Sequence, residues 1–160
     1  MVNVFYNPNI HPLDEYNRRY ASFVKYLRTI QGEFVVPVGY NPLEYFSQIQ
    51  DWENRCWWCY NLRLKKVALW GKENGFKYFS TTLTISPYQN VTQIWEAGKQ
   101  IEQQVGIVFV DRDFRGGFPE SQNLSKKENL YRQNYCGCIL SKWEGVKRRI
   151  WKRLTGRKSF

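Results

Sequence analysis

The strongest constraint on how this chain can fold is the regular alternation of short β-branched runs with longer stretches of helical apolar spacing. Val2 to Tyr6 is β-rich and is stopped by the turn cluster Asn7-Pro8-Asn9. From Pro12, with Asp14 and Glu15 suited to a first helical turn, Tyr16, Tyr20, Phe23, Val24 and Leu27 recur at helical spacing until Gln31-Gly32. Phe34 to Val38 is apolar throughout, as in a strand covered on both faces, and Pro42 opens a second helix. A helical stripe through Trp58, Leu62, Ala68 and Leu69 runs to the stop signature Asn74-Gly75. Tyr78 to Leu83 reads as a strand broken by Ser86-Pro87. Val91 to Val105 is then a helix with Ile94, Trp95, Gly98, Ile101 and Val105 along one side, ended by Gly106, and Ile107 to Val110 is the next strand. This order predicts an α/β fold built on a parallel sheet with right-handed crossovers.

At 160 residues, 42% of them hydrophobic, the chain is long enough for one core and too short for two ordinary domains, so residues 1–160 are expected to form one. No charged leader with a small-residue cleavage site opens the sequence, and no apolar window of about 18 residues occurs. A soluble cytoplasmic protein without a membrane partner is the expectation. The formal net charge of +10 is uneven: residues 141–160 carry eight basic side chains and one acid, or +7 of the total. This tail reads as a basic helix with Trp143, Val146, Ile150 and Leu154 along one stripe. It is expected to dock apolar side down and to present Arg148, Arg149, Lys152 and Arg153 to a polyanion. A helix lying on an anionic membrane surface has the same pattern.

The four cysteines form two tight pairs, Cys56-Trp57-Trp58-Cys59 and Cys136-Gly137-Cys138. In a chain with no secretory leader, such pairs are more often metal ligands or redox thiols than structural disulfides. Cys56 and Cys59 stand one turn apart near a helix start, where thiolates are favoured. Cys136 and Cys138 could close a small, strained and easily reversed disulfide, or could be half of a four-cysteine zinc site. His11, the single histidine, follows a strand end where α/β proteins place ligands, although a lone loop histidine is commonly just solvated. Asp14 and Glu15 are ordinary first-turn acids as well as candidate catalytic acids. Asp113-Phe114-Arg115-Gly116-Gly117-Phe118 is a simple turn or a loop allowing close approach of a ligand. Trp70 and Trp95 read as core, whereas Trp57 and Trp58 are placed to line a site.

Four blocks, in order, resemble the QueH family of epoxyqueuosine reductases. They are Phe5-Tyr6-Asn7-Pro8-Asn9-Ile10-His11-Pro12, Cys56-Trp57-Trp58-Cys59-Tyr60-Asn61-Leu62-Arg63-Leu64, Tyr78-Phe79-Ser80-Thr81-Thr82-Leu83 with Ser86-Pro87-Tyr88, and Leu130-Tyr131-Arg132-Gln133-Asn134-Tyr135-Cys136-Gly137-Cys138. The resemblance implies a Rossmann-like sheet of the adenine nucleotide alpha-hydrolase type. It further implies a [4Fe–4S] cluster and reduction of epoxyqueuosine to queuosine at the tRNA wobble position. Carried over by position, Cys56 and Cys59 match cluster ligands, and Cys136 and Cys138 match the redox-active pair. The family opens on a further strand ending in adjacent cysteines, and the resemblance begins after it. The first strand and two cluster ligands are therefore expected to be missing, through an internal start or a truncation.

Removing an epoxide oxygen as water needs two electrons and two protons, which no ordinary side chain supplies. A cluster passes electrons singly, and a dithiol closing to a disulfide supplies a pair. The oxygen needs a Lewis acid or proton donor, for which an open iron site, His11 and Tyr131 are candidates in that order. The implied partners are the modified tRNA and an electron donor, and room is left for a second metal ion. Two other readings stand: a non-catalytic zinc-binding RNA module, and an inactive N-terminally truncated reductase.

Overall fold

The computed structural model describes residues 1–156. Arg157 and Lys158, which belong to the basic tail, lie outside the described residues. Two strands open the two halves of the structure. β1 (Val2–Val4) pairs in parallel with β2 (Glu33–Val35), matching Val2 with Glu33 and Val4 with Val35, and the connection is α1 (Leu13–Thr29). β3 (Tyr78–Phe79) pairs in parallel with β4 (Val108–Phe109) across α4 (Val91–Val105). Between the halves come α2 (Pro42–Gln48) and α3 (Arg55–Glu73), and the chain finishes with α5 (Phe118–Lys127) and α6 (Ile139–Thr155).

The expected parallel pairing and βαβ connections are therefore present, but the expected single sheet is not. Among the described residues the strands form two separate two-stranded sheets, and the structure is mostly helical. The strands are also shorter than their apolar runs. After Phe79 the Thr81 hydroxyl accepts the Leu83 amide at 3.2 Å, and a 3-10 turn over Leu83–Ile85 replaces the expected continuation.

Local chemistry explains the helices. Asn90 caps α4 by accepting the Gln93 amide at 3.1 Å, and Gly106, at φ 81°, closes it in the left-handed region. Pro42 occupies the first turn of α2, where its missing N–H costs nothing. Gly75 at φ +76° and Gly156 at φ +64° follow the ends of α3 and α6.

The main core lies between α3 and α4 over the β3–β4 pair: Tyr60, Leu64, Ala68, Phe79, Ile94, Ala97, Ile101, Val105, Ile107 and Phe109 form one buried cluster. Trp57 and Trp95 are half-buried against it, so Trp57 takes part in packing beyond lining a site. A second cluster gathers Tyr45 and Ile49 of α2, Cys59 of α3 and Cys138, with Trp58, Leu62, Cys136 and Leu140 against it. A third joins Phe5, Ile10 and Tyr16.

The tail departs from expectation. α6 buries no residue, and Trp143, Ile150 and Leu154 are 59%, 51% and 81% exposed. Its start is held by Leu140 in the second cluster and by the ion pair of Arg55 with Glu144. Amphipathic spacing reveals the stripe, but it does not say whether this domain offers a surface to cover it.

Candidate functional site

α3, α2 and the segment before α6 bring the two cysteine pairs together. Cys56 and Cys59 lie in the first turns of α3, and Cys138 immediately precedes α6. All four thiols are free; Cys56 is exposed, Cys136 half-buried, and Cys59 and Cys138 buried. Burial, opposed by Arg63 and reinforced by Cys136, Cys138 and Cys56, pushes the Cys59 thiol up to about 12. Desolvation also raises Cys56, with Arg55 opposing and Cys136 and Cys138 reinforcing. The sulfurs therefore lie within electrostatic reach of one another, and a cationic group among them would reverse that penalty.

This donor set suits thiophilic iron or zinc as a ligand pair. Among the described residues, however, no three or more His, Cys, Asp or Glu side chains are grouped so as to hold one metal ion. The arrangement thus does not close all four thiols around a single zinc. As thiols, Cys56 and Cys59 have the donor chemistry a metal cluster takes, and Cys59 shares a buried cluster with Cys138, Cys136 packing against it.

Two partners of the Cys136-Gly137-Cys138 loop have no counterpart in the sequence expectations. The fully buried Tyr45 hydroxyl donates to Cys138 Sγ at 3.3 Å, and burial holds the phenol strongly protonated. Arg19 of α1 donates to the carbonyls of Cys136 and Tyr135 at 3.0 and 2.9 Å. Gly137 sits at φ +118°, and a Cβ there would lie 2.8 Å from Ile10 Cγ1, so both backbone angle and space call for glycine. The available signal was a charged residue inside the apolar stripe of α1, four positions after an acid.

His11 is buried rather than solvated, at 5% exposed. Its ring stacks on Phe46 with centroids 5.0 Å apart, and Nδ1 meets the Tyr40 hydroxyl at 3.4 Å. Burial lowers its pKa below the ordinary value, and its buried Nε2 has no partner among the described residues. Its amide donates to Gly137 at 3.0 Å, so backbone contact joins it to the cysteine loop. Tyr131 is committed elsewhere: its hydroxyl donates to Glu15 Oε2 at 2.6 Å. Asp14 is on the surface with Arg18, whereas Glu15 is buried.

Trp57 and Trp58, with Asp51, Asn54, Gln93 and Glu96, line an open cleft of about 360 Å3 beside the first cysteine pair. Asp113 and Arg115 pair with each other in the 111–117 loop, and Gly116 and Gly117 face open space. Arg148, Arg149, Lys152 and Arg153 are exposed on α6, and the structure does not bring them to the cysteines.

A family profile described as "Epoxyqueuosine reductase QueH" matches residues 1–144. Curated proteins carrying the same description are similar over most of the chain. One from Thermotoga maritima is 36% identical over 147 residues, 86% of this chain and 77% of its own length. One from Dehalococcoides mccartyi is 33% identical over 145 residues, 89% of this chain and 80% of its own. A third, from Histophilus somni, is 32% identical over 165 aligned residues, 98% of this chain and 66% of its own, so that similarity reaches into the basic tail.

Proposed function

The chain belongs to the QueH family of epoxyqueuosine reductases, and on that premise we propose that it takes part in reducing epoxyqueuosine to queuosine in tRNA, as one reductase-like domain over residues 1–160. The observation that carries this reading is the meeting of Cys59 and Cys138 in one buried cluster, with Cys136 packed against it. Pairs separated by some 80 residues of sequence converge there, as a site needing both metal ligands and a thiol reservoir would require.

Cys56 and Cys59 would hold two positions of a [4Fe–4S] cluster, which supplies single-electron transfer when bound. Cys136 and Cys138 supply two electrons and two protons on closing from dithiol to disulfide, matching the demand of turning an epoxide into an alkene and water. Tyr45 donates its hydrogen bond to Cys138 and so favours the sulfur as acceptor. Of the two protein candidates for the proton, Tyr131 has its hydroxyl proton engaged by Glu15, and His11, which burial holds toward its neutral form, could give only its ring N–H proton. Trp57 and Trp58 offer aromatic faces to a nucleobase. Arg148, Arg149, Lys152 and Arg153 would contact tRNA phosphates.

The two parallel pairs are read as flanks of one Rossmann-like sheet, supported by their shared βαβ connection. An external electron donor reopens the disulfide.

The test separates the roles of the two pairs in the longest form of the protein that its gene encodes. Cys56→Ser and Cys59→Ser should each abolish iron incorporation. Cys136→Ser should keep the iron but stop repeated turnover, because one thiol cannot store an electron pair as an intramolecular disulfide. Iron retained at the parent level in the first two variants, or lost in the third, overturns the assignment.

A further inference from the structure

Arg19 is chemically out of keeping with its surroundings. It lies between Tyr16 and Phe23 on α1, and its side chain and that of Glu15 are only 9% and 7% exposed. A buried ion pair of this kind seldom adds net stability over apolar side chains of equal volume. What it holds is therefore more informative than what it contributes. Arg19 Nε donates to Glu15 Oε1 at 2.8 Å, Nη1 to the Cys136 carbonyl at 3.0 Å and Nη2 to the Tyr135 carbonyl at 2.9 Å. Tyr131 occupies the other Glu15 oxygen at 2.6 Å, and the Tyr135 ring centroid lies 5.2 Å from the guanidinium carbon. The same loop is tied to the 9–12 segment by the His11 amide on the Gly137 carbonyl and by the Tyr135 hydroxyl on the His11 carbonyl.

We infer that Arg19, locked by Glu15, is a positioning residue for the Cys136-Gly137-Cys138 loop, fixing two consecutive carbonyls so that both thiols stay seated against Tyr45 and Cys59. The functional meaning of this clamp rests on the redox role proposed for the pair; its existence does not. Three directional donors on one rigid plane are needed to reach a carboxylate and two adjacent carbonyls together, which guanidinium provides and an ammonium does not. Gly137 completes the fit, since a Cβ there would also come within 3.3 Å of Arg19 Nη1. Removing the fork would leave two inward-facing carbonyls without donors, and local opening is the cheapest way for them to reach water.

Thiol accessibility reads the clamp without relying on catalysis. The reduced full chain, its Arg19→Gln and Arg19→Lys variants are treated with iodoacetamide, and each cysteine is followed by peptide mass spectrometry alongside the melting temperature. Arg19→Gln should alkylate Cys138 at least about tenfold faster, Arg19→Lys by an intermediate factor, while Cys59 on α3 keeps its parent rate. If Arg19→Gln fails to fold, Glu15→Gln, which leaves the guanidinium present but unlocked, is expected to accelerate Cys138 alone as well. A Cys138 rate within about twofold of the parent in the folded variants overturns the proposal, and so does a parallel rise at Cys59, which marks global loosening. Repeated turnover by Cys136→Ser would instead defeat the redox assignment and leave the clamp standing.

Discussion

The α3–α4 layer over β3 and β4 and the loop-bearing face built from α1, α2 and residues 133–140 are assembled by different forces. In the first, ten buried side chains form one apolar cluster with α4 seated directly on Phe109. In the second, a buried Arg19–Glu15 pair, the Tyr45–Cys138 bond and the His11–Gly137 backbone bond fix the chain. Apolar contact is non-directional and tolerates small rearrangement, whereas each of these polar bonds specifies an orientation. The layer therefore supplies stability, and the loop-bearing face spends some of it to hold thiols in a chosen arrangement.

The largest effect should come from the layer. At Gly98 an added Cβ would lie 2.3 Å from two ring carbons of Phe109, which is itself 1% exposed and has little room to move. Gly98→Ala should lower unfolding free energy by about 2 kcal/mol or more, because overpacking outweighs the roughly 1 kcal/mol that alanine gains in a helix. Urea denaturation measures it, and the Cys138 to Cys59 alkylation ratio below the transition should stay at the parent value. Unchanged stability would show that Phe109 swings freely and that the layer is less tightly packed than the loop.

The contrast also explains what can be read from the chain alone. α1 and α4 are legible because their buried stripes repeat at helical spacing and Gly106 marks the end of α4, whereas α3 buries Cys59, Tyr60, Leu64 and Ala68 and leaves Leu69 of its expected stripe exposed. The strands are overrun: Phe34 to Val38 is apolar, yet pairing stops at Val35, because apolarity reports burial and not hydrogen bonding. Periodicity likewise cannot say which strands are neighbours, so it suggests one sheet where two pairs occur. Cysteine spacing points to both pairs. The clamp formed by Glu15 and Arg19 is signalled only by a charge inside the apolar stripe of α1, and an i,i+4 charged pair names no distant loop as its partner, while Tyr45 is hidden in a helix of only seven residues.

An intermediate effect is expected from pH on the loop-bearing face. His11 is the single histidine, and burial lowers its pKa in the folded protein below the usual value of about 6.5. The unfolded chain then binds the extra proton first, so stability is fully present above that ordinary value and declines as pH falls toward the folded one. Urea midpoints between pH 7.5 and 5.5 should drop by an amount worth up to about 1.4 kcal/mol for each unit separating the two values. His11→Gln should remove most of that slope. An equal slope in parent and variant would mean that the neutral buried imidazole is not its source.

The smallest effect on stability, and the largest on binding, should come from α6 beyond its first turn, where it leaves the loop-bearing face. Its basic side chains are exposed, and the apolar stripe of Trp143, Ile150 and Leu154 is exposed beside them. Changing Arg148, Arg149, Lys152 and Arg153 together to Gln should move unfolding free energy by no more than about 0.5 kcal/mol per site, as is usual for surface substitutions. If the four cations neutralise phosphates, tRNA affinity should fall and the slope of log affinity against log salt should flatten by up to about 0.9 for each phosphate left without its cation. No helix among the described residues is long and apolar enough to cross a membrane, but an uncovered amphipathic helix can lie along an anionic surface. Vesicles containing phosphatidylserine therefore belong in the same titration. Weaker tRNA binding with a flatter salt slope in the four-Gln variant, and no vesicle binding by the parent, assigns the helix to RNA. An unchanged salt slope together with vesicle binding by the parent assigns it to the lipid surface and removes α6 from the tRNA interface.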